Sequence, residues 1–98
     1  MTAYLVAQID VTDLEKYQAY ARRAGPVVSE YGGRFLAKGG ETTALEGPSP
    51  RQRNVIIEFP DRQTAERYYR SDGYQAAKAE RAGAAVAQFF VVDGADPS

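Results

Sequence analysis

Cysteine, histidine and tryptophan are all missing from this 98-residue sequence. Without cysteine there is no disulfide and no thiolate nucleophile, and the redox compartment goes unread. Without histidine the commonest metal ligand and the commonest general base near neutral pH are gone as well. The carboxylates are scattered, with no Asp-x-Asp-x-Asp spacing, so neither a metal nor a cofactor is expected. No charge sign dominates: 12 basic and 13 acidic side chains give a formal charge of -1. That leaves no electrostatic footprint for a polyanion, and nucleic acid is not an expected partner. There is no run of about 18 apolar residues, and Met1-Thr2-Ala3-Tyr4 does not open a basic-then-apolar leader. No membrane association is expected, and cytoplasmic residence is the default.

What is present is an ordinary globular composition, 44% hydrophobic and 26% charged, which excludes disorder and fibrous repeats. A chain this short buries only roughly 60 to 68% of its extended surface, so its core is modest and a partner subunit is a natural way to enlarge it. One domain is expected, with an ordered core over 3–94 and a tail over 95–98.

Ala3 to Asp10 reads as a first strand. Thr12 and Glu15 match a capping box, predicting a helix from Asp13. Its apolar stripe runs Leu14, Tyr17, Ala21, Ala24, Val28 and Tyr31, with Gly25-Pro26 expected to kink or split it and Gly32-Gly33 to end it. Arg34 to Lys38 is a second strand. Gly39-Gly40 turns into another extended piece, Thr42 to Glu46, ahead of the loop Gly47-Pro48-Ser49-Pro50. The apolar run Asn54 to Phe59 reads as a central strand. Asp61 and Ser71 are caps for two segments of a broken helix, the first with Ala65, Tyr68 and Tyr69, the second with Tyr74, Ala77 and Arg81. Val86 to Val92 is the last strand.

The order is βαββαβ, a ferredoxin-like α+β arrangement with a four-stranded antiparallel sheet and two helices on one face. Strand four is expected beside strand one and strand two beside strand three. Two right-handed crossovers are taken to run strands one and three parallel at the centre. The other sheet face is left open, and an uncovered face with apolar residues asks for a second subunit. Alternation places Tyr4, Val6, Gln8, Arg34, Leu36, Lys38, Asn54, Ile56, Glu58, Gln88, Phe90 and Val92 on it. The expected rows are Arg34, Glu58, Gln8 and Gln88; then Leu36, Ile56, Val6 and Phe90; then Lys38, Asn54, Tyr4 and Val92. A slip of one residue would move a strand's contribution to the other face.

The polar row supports two roles. It is a wall where Glu58 moves a proton and Arg34 orients an anionic or carbonyl group, or it is a cross-strand pair that keeps a dimer face soluble and in register. An enclosed pocket of roughly 300 Å³ with Glu58 in its wall would favour the first. The helix tyrosines read as core, Ser71 as a cap, and Gly39-Gly40-Glu41 as a turn that lacks the lysine of a phosphate loop.

Tyr4, Asp13 with Tyr17 and Tyr20, Gly32-Gly33-Arg34 followed by Gly39-Gly40, Glu46-Gly47, Ile57-Glu58-Phe59-Pro60, Ala65 with Tyr69, Ser71 with Tyr74, and Arg81 stand in an order that is similar to a known family. From Tyr4 to Gly94 the chain resembles the domain-of-unknown-function 1330 family of the dimeric α/β-barrel superfamily. One departure is Ser71-Asp72-Gly73-Tyr74, where members often carry proline or glutamate, and Gly73 should weaken that helix start. The resemblance implies a subunit whose sheet faces its twin's around a central space, and it implies no particular reaction. Relatives in the superfamily include cofactor-free monooxygenases, haem-degrading enzymes, chlorite dismutases, lactone isomerases and ligand-binding regulatory domains, among which fold cannot choose. The missing histidine excludes haem enzymes with an axial histidine. The missing tryptophan and the single asparagine, Asn54, weaken the monooxygenase comparison.

Two functions stay open. One is a metal-free oxygenase, isomerase or cyclase on a small carbonyl compound, with Glu58 and Arg34 as catalytic groups and Tyr4, Gln8, Asn54 and Gln88 binding the ligand. The other is a noncatalytic homodimer that binds a small molecule or serves in regulation or stress.

Overall fold

Alternation along the first strand sorts its side chains so cleanly that it defines both faces of the sheet. Ala3, Leu5, Ala7 and Ile9 are at most 2% exposed, while Tyr4, Val6, Gln8 and Asp10 between them are half-buried. A computed structural model describes residues 1–95, so the expected tail lies outside the described residues from 96 onward. The elements run β1 (Ala3–Val11), α1 (Leu14–Glu30), β2 (Arg34–Lys38), β3 (Arg53–Phe59), α2 (Arg62–Arg70), α3 (Asp72–Glu80) and β4 (Ala85–Asp93). The four-stranded sheet has the order β2-β3-β1-β4, and every neighbouring pair is antiparallel. The neighbours are those expected, but β1 and β3 are antiparallel rather than parallel. Each crossover returns the chain parallel to the strand it left, and β2 turns back into β3, so β3 must oppose β1.

α1 starts one residue later than the capping box predicts. Asp13, not Thr12, is its N-cap, and its carboxylate accepts from Lys16 N–H at 3.2 Å. The helix runs unbroken through Pro26, against the expected split. Pro26 and Arg22, whose carbonyl loses its partner, are both exposed, so water serves that carbonyl in place of an amide. Tyr17, Tyr20, Ala24, Val27 and Val28 are buried, whereas Leu14 of the expected stripe is 58% exposed. The end is a Schellman motif: Gly33 N–H donates to the Val28 carbonyl at 2.9 Å and Gly32 N–H to that of Ser29 at 3.0 Å, with Gly32 at φ 71°.

The expected extended piece at Thr42 to Glu46 is not a strand. All of 40–50 is exposed, and β3 pairs with β1 and β2 on its two sides, leaving that segment no ladder to join. Asp61 and Ser71 cap α2 and α3 as expected, accepting from Thr64 N–H at 2.7 Å and Tyr74 N–H at 3.1 Å. Ser71 is extended (φ -64°, ψ 152°), which breaks the helix there. Gly73 does not prevent α3 from starting at Asp72, and a Cβ on it would come within 3.1 Å of Val27 Cγ2, so its bareness lets α3 lie close to α1. The core between helices and sheet holds Leu5, Ile9, Val28, Phe59, Tyr68 and Tyr74, each at most 2% exposed. Each fully buried large apolar side chain contributes about 1.5–3 kcal/mol. Among the described residues no helix is long and apolar enough to cross a membrane.

Candidate functional site

The open sheet face carries an apolar belt between two polar ends. At one end Arg34 stands opposite Glu58, Glu58 opposite Tyr4, and Tyr4 opposite Val92. Ile56, Val6 and Phe90 form the belt, and Asn54, Gln8 and Gln88 form the other end. The middle row agrees with expectation for β3, β1 and β4. The outer two exchange members, because the antiparallel β1 brings its early residue Tyr4 to Glu58 and its late residue Gln8 to Asn54. Arg34 and Glu58 therefore share a row with Tyr4, while Gln8 and Gln88 lie two rows, or four residues, away along the strands.

A register shift between Phe35 and Ala37 alters the second strand as well. Phe35 pairs with Ile57, but Ala37 pairs with Ile56 and Lys38 with Val55. After this bulge Ala37, not Leu36, stands opposite the belt. Lys38, expected on the open face, lies on the helix side, its Nζ 4.4 Å from the Phe35 ring centroid.

Arg34 Nη2 donates to Glu58 Oε1 at 3.2 Å, with the side chains 70% and 31% exposed. A pair this solvated contributes about 0–1 kcal/mol, so its value lies in register and charge neutrality. Asn54 spends an amide hydrogen on the Arg51 carbonyl at 2.9 Å, which commits part of this expected ligand-binding side chain to holding the loop before β3. Tyr4 lines a recess of about 510 Å³ at the end of the sheet with Met1, Thr2, Pro60 and Gly94. Glu58 does not line it.

Asp10 secures the same loop, accepting from Arg51 Nη1 at 2.7 Å and from Gln52 N–H at 2.9 Å. The Gln52 amide first, and then the Arg51 guanidinium against a smaller opposing effect of burial than their sum, hold its carboxyl below the ordinary value. Because the folded value is depressed, the stability Asp10 supplies is fully present above about pH 4 and is lost as pH falls through the folded value. Asp10→Asn is expected to flatten the acid limb of the stability curve below about pH 4 while leaving its shape near neutrality unchanged, as urea midpoints across that range would show.

Three polar residues that the sequence did not single out as a group meet on the helix side. The Tyr20 and Tyr74 hydroxyls are 3.0 Å apart, and Arg81 Nη2 donates to the Tyr74 hydroxyl at 3.3 Å. The Arg81 guanidinium lies 5.0 Å from the ring centroids of both Tyr20 and Phe89, and the residue is 9% exposed. Burial, and next the neighbouring Tyr74, push the Tyr20 phenol well above its ordinary value, so it stays protonated and holds this network as a neutral group. The sequence held one signal for this cluster: Tyr20 follows Tyr17 by three and precedes Ala24 by four, which places it on the buried stripe. Arg53, just outside the expected strand, also faces the helices, its guanidinium carbon 5.2 Å from the Tyr17 ring centroid. Among the described residues no group of three or more carboxylates is placed to hold a metal ion.

A family model described as "Domain of unknown function (DUF1330)" matches residues 2–95. No curated protein matches the chain at a significant level. Among solved structures, a protein of unknown function from Rhodopseudomonas palustris is 22% identical with a TM-score of 0.77, covering 98% of this chain and 84% of its own. SnoaB, a cofactor-independent oxygenase from Streptomyces nogalater, is 12% identical with a TM-score of 0.65, covering 99% and 98%. A dimeric protein of unknown function with a ferredoxin-like fold from Bacteroides fragilis is 9% identical with a TM-score of 0.65, covering 95% and 96%. At these identities the likeness shows a shared ferredoxin-like fold.

Proposed function

The chain belongs to the DUF1330 family, and on that premise we propose that it works as a small-molecule-binding homodimer joined through the open face of its sheet. The observation that carries this reading is the asymmetry of the sheet. Helices bury one face, while the other presents Val6, Ile56 and Phe90 as a belt, with Phe90 42%, Val86 53%, Val92 46% and Leu36 47% exposed. A second copy would remove that surface from water, and the Arg34–Glu58 pair would keep the face charge-balanced and in register. The Bacteroides fragilis protein, described as dimeric, supports the same use of the fold. A cytoplasmic setting is part of this reading.

Light scattering at micromolar concentration is expected to give the mass of a dimer, and Phe90→Asp the mass of a monomer; a wild-type monomer would overturn the proposal. Mass spectrometry under native conditions would identify a copurifying ligand.

A catalytic reading has one specific observation behind it. Arg34 engages only Oε1 of Glu58, and Oε2 has no hydrogen-bond partner among the described residues. Glu58 would then accept a proton from a small carbonyl compound, with Arg34 stabilising the developing charge and Tyr4 beside them. SnoaB, described as cofactor-independent, supports metal-free chemistry on this fold. Glu58→Gln separates the two. A weakened dimer with ligand binding unchanged supports the register role, and a fall in turnover of about 100-fold or more with the dimer intact supports proton transfer.

A further inference from the structure

We propose that the cavity between α1 and the sheet binds a short-chain monocarboxylate, with Arg53 and Lys38 as its anion contacts. The cavity has a volume of about 50 Å³, with Ala7 and Val55 of the sheet and Tyr17 and Ala24 of α1 among its walls and Phe35, Lys38 and Arg53 also lining it. At about 10–15 Å³ per water-sized position it holds on the order of four such positions, the scale of a two- to four-carbon acid. It lies across the sheet from the face assigned to the dimer, so this inference stands apart from that reading.

Two cations share this cavity, and neither makes an ion pair among the described residues. Among the described residues Arg23, Arg34, Arg51, Arg62 and Arg70 each have a carboxylate within 4.0 Å; Lys38 and Arg53 do not, nor do Lys16, Arg22, Arg67, Lys78 and Arg81, but only Lys38 and Arg53 line this cavity. Among the described residues the Arg53 Nε is buried with no hydrogen-bond partner, as is the Nε of Arg81 in the tyrosine cluster. A buried donor left unmet in a native fold needs an explanation, and a carboxylate binding in this cavity would supply one for Arg53.

Lys38 reaches this side only because of the bulge. Uninterrupted alternation from Phe35 would place it opposite Asn54 on the open face, whereas the shift sets it opposite Val55. Bulges re-aim side chains beside functional sites. The turn after β2 fits the same purpose: Gly39 has φ 76°, and a Cβ there would stand 3.0 Å from Arg53 Nη2. A side chain in that direction would displace the guanidinium. Apolar walls with two cations that face aromatic rings but no carboxylate select a carboxylate that carries a short alkyl tail over a bare anion or a neutral amide.

Nuclear magnetic resonance titration of the whole chain with sodium butyrate tests this, with butyramide and inorganic phosphate as controls. Butyrate is expected to shift the methyl signals of Val55 and Ala24 saturably, with a dissociation constant on the order of 1 mM, and to leave those of Val6 unmoved. Lys38→Gln and Arg53→Gln are each expected to weaken binding about tenfold, on the scale of a lost charge-assisted contact. Lys38 is exposed at the end of β2, so its variant decides the matter if the Arg53 variant fails to fold. The absence of saturation, equal binding of butyramide or phosphate, or wild-type affinity in Lys38→Gln would each overturn the proposal.

Discussion

Tyr74→Ala is expected to cost about 3–5 kcal/mol of stability, against a total of about 5–15 kcal/mol for a domain of this kind. Tyr74 is 0% exposed, and its ring packs at 5.0 Å from those of Tyr68 and Tyr69, 6.0 Å from Tyr20 and 6.3 Å from Phe89. Removing it opens a cavity where α1, α3 and the sheet meet. Tyr74→Phe isolates the hydroxyl, since it keeps the ring and takes away the oxygen that Arg81 donates to and Tyr20 faces. Both partners would remain buried, so a loss of about 1–3 kcal/mol is expected from one oxygen. Tyr20→Phe should cost less, because Arg81 keeps its acceptor. Urea denaturation of the three variants would show the ordering, and equal losses for Tyr74→Phe and Tyr20→Phe would mean that Arg81 does not depend on this acceptor.

Gly33→Ala is expected to destabilise by about 1–3 kcal/mol through overpacking alone. Gly33 is not at positive φ, so no backbone strain is involved. A Cβ there would lie 2.7 Å from Phe59 Cε1 and 2.8 Å from Val28 Cγ1, both in fully buried side chains with nowhere to retreat. The adjacent Gly32 presents the opposite case. Its φ is 71°, and the nearest atom to a Cβ is Pro60 Cγ at 3.6 Å, an ordinary contact. Gly32→Ala should therefore cost about 1 kcal/mol from conformation with no clash. Comparing the melting of the two variants distinguishes crowding from backbone strain at neighbouring positions.

The order of elements and the identity of the open face were legible because they rest on alternation and capping, which are local. Asp61, Ser71 and Gly32-Gly33 announce their turns through their own chemistry. Tyr4 and Gln8 were exchanged between rows because strand direction depends on how the whole chain folds back, and no residue in β1 encodes it. The bulge at Leu36 was invisible for a related reason: Arg34 to Lys38 alternates as a regular strand would, and only pairing with β3 exposes the shift. The unbroken α1 shows propensity overridden by setting, with the one disrupted carbonyl facing water. Arg53 was missed because it sits at the strand boundary, where sequence patterns are least sharp. The Arg34–Glu58 pairing could be anticipated because both residues lie on adjoining strands, β2 and β3.

The bulge in β2 has an electrostatic effect under two-fold symmetry. When identical faces meet across a two-fold axis, both copies bring the same net charge to the interface, so a charge without a counterpart on its own face is doubled there. On this face Arg34 is matched by Glu58, and Asp10 by Arg51. A regular second strand would add the ammonium of Lys38 with no counterpart and set two such charges on opposing surfaces. One displaced residue removes that self-repulsion, so deleting Leu36 should weaken self-association even though no apolar contact of Val6, Ile56 or Phe90 is touched.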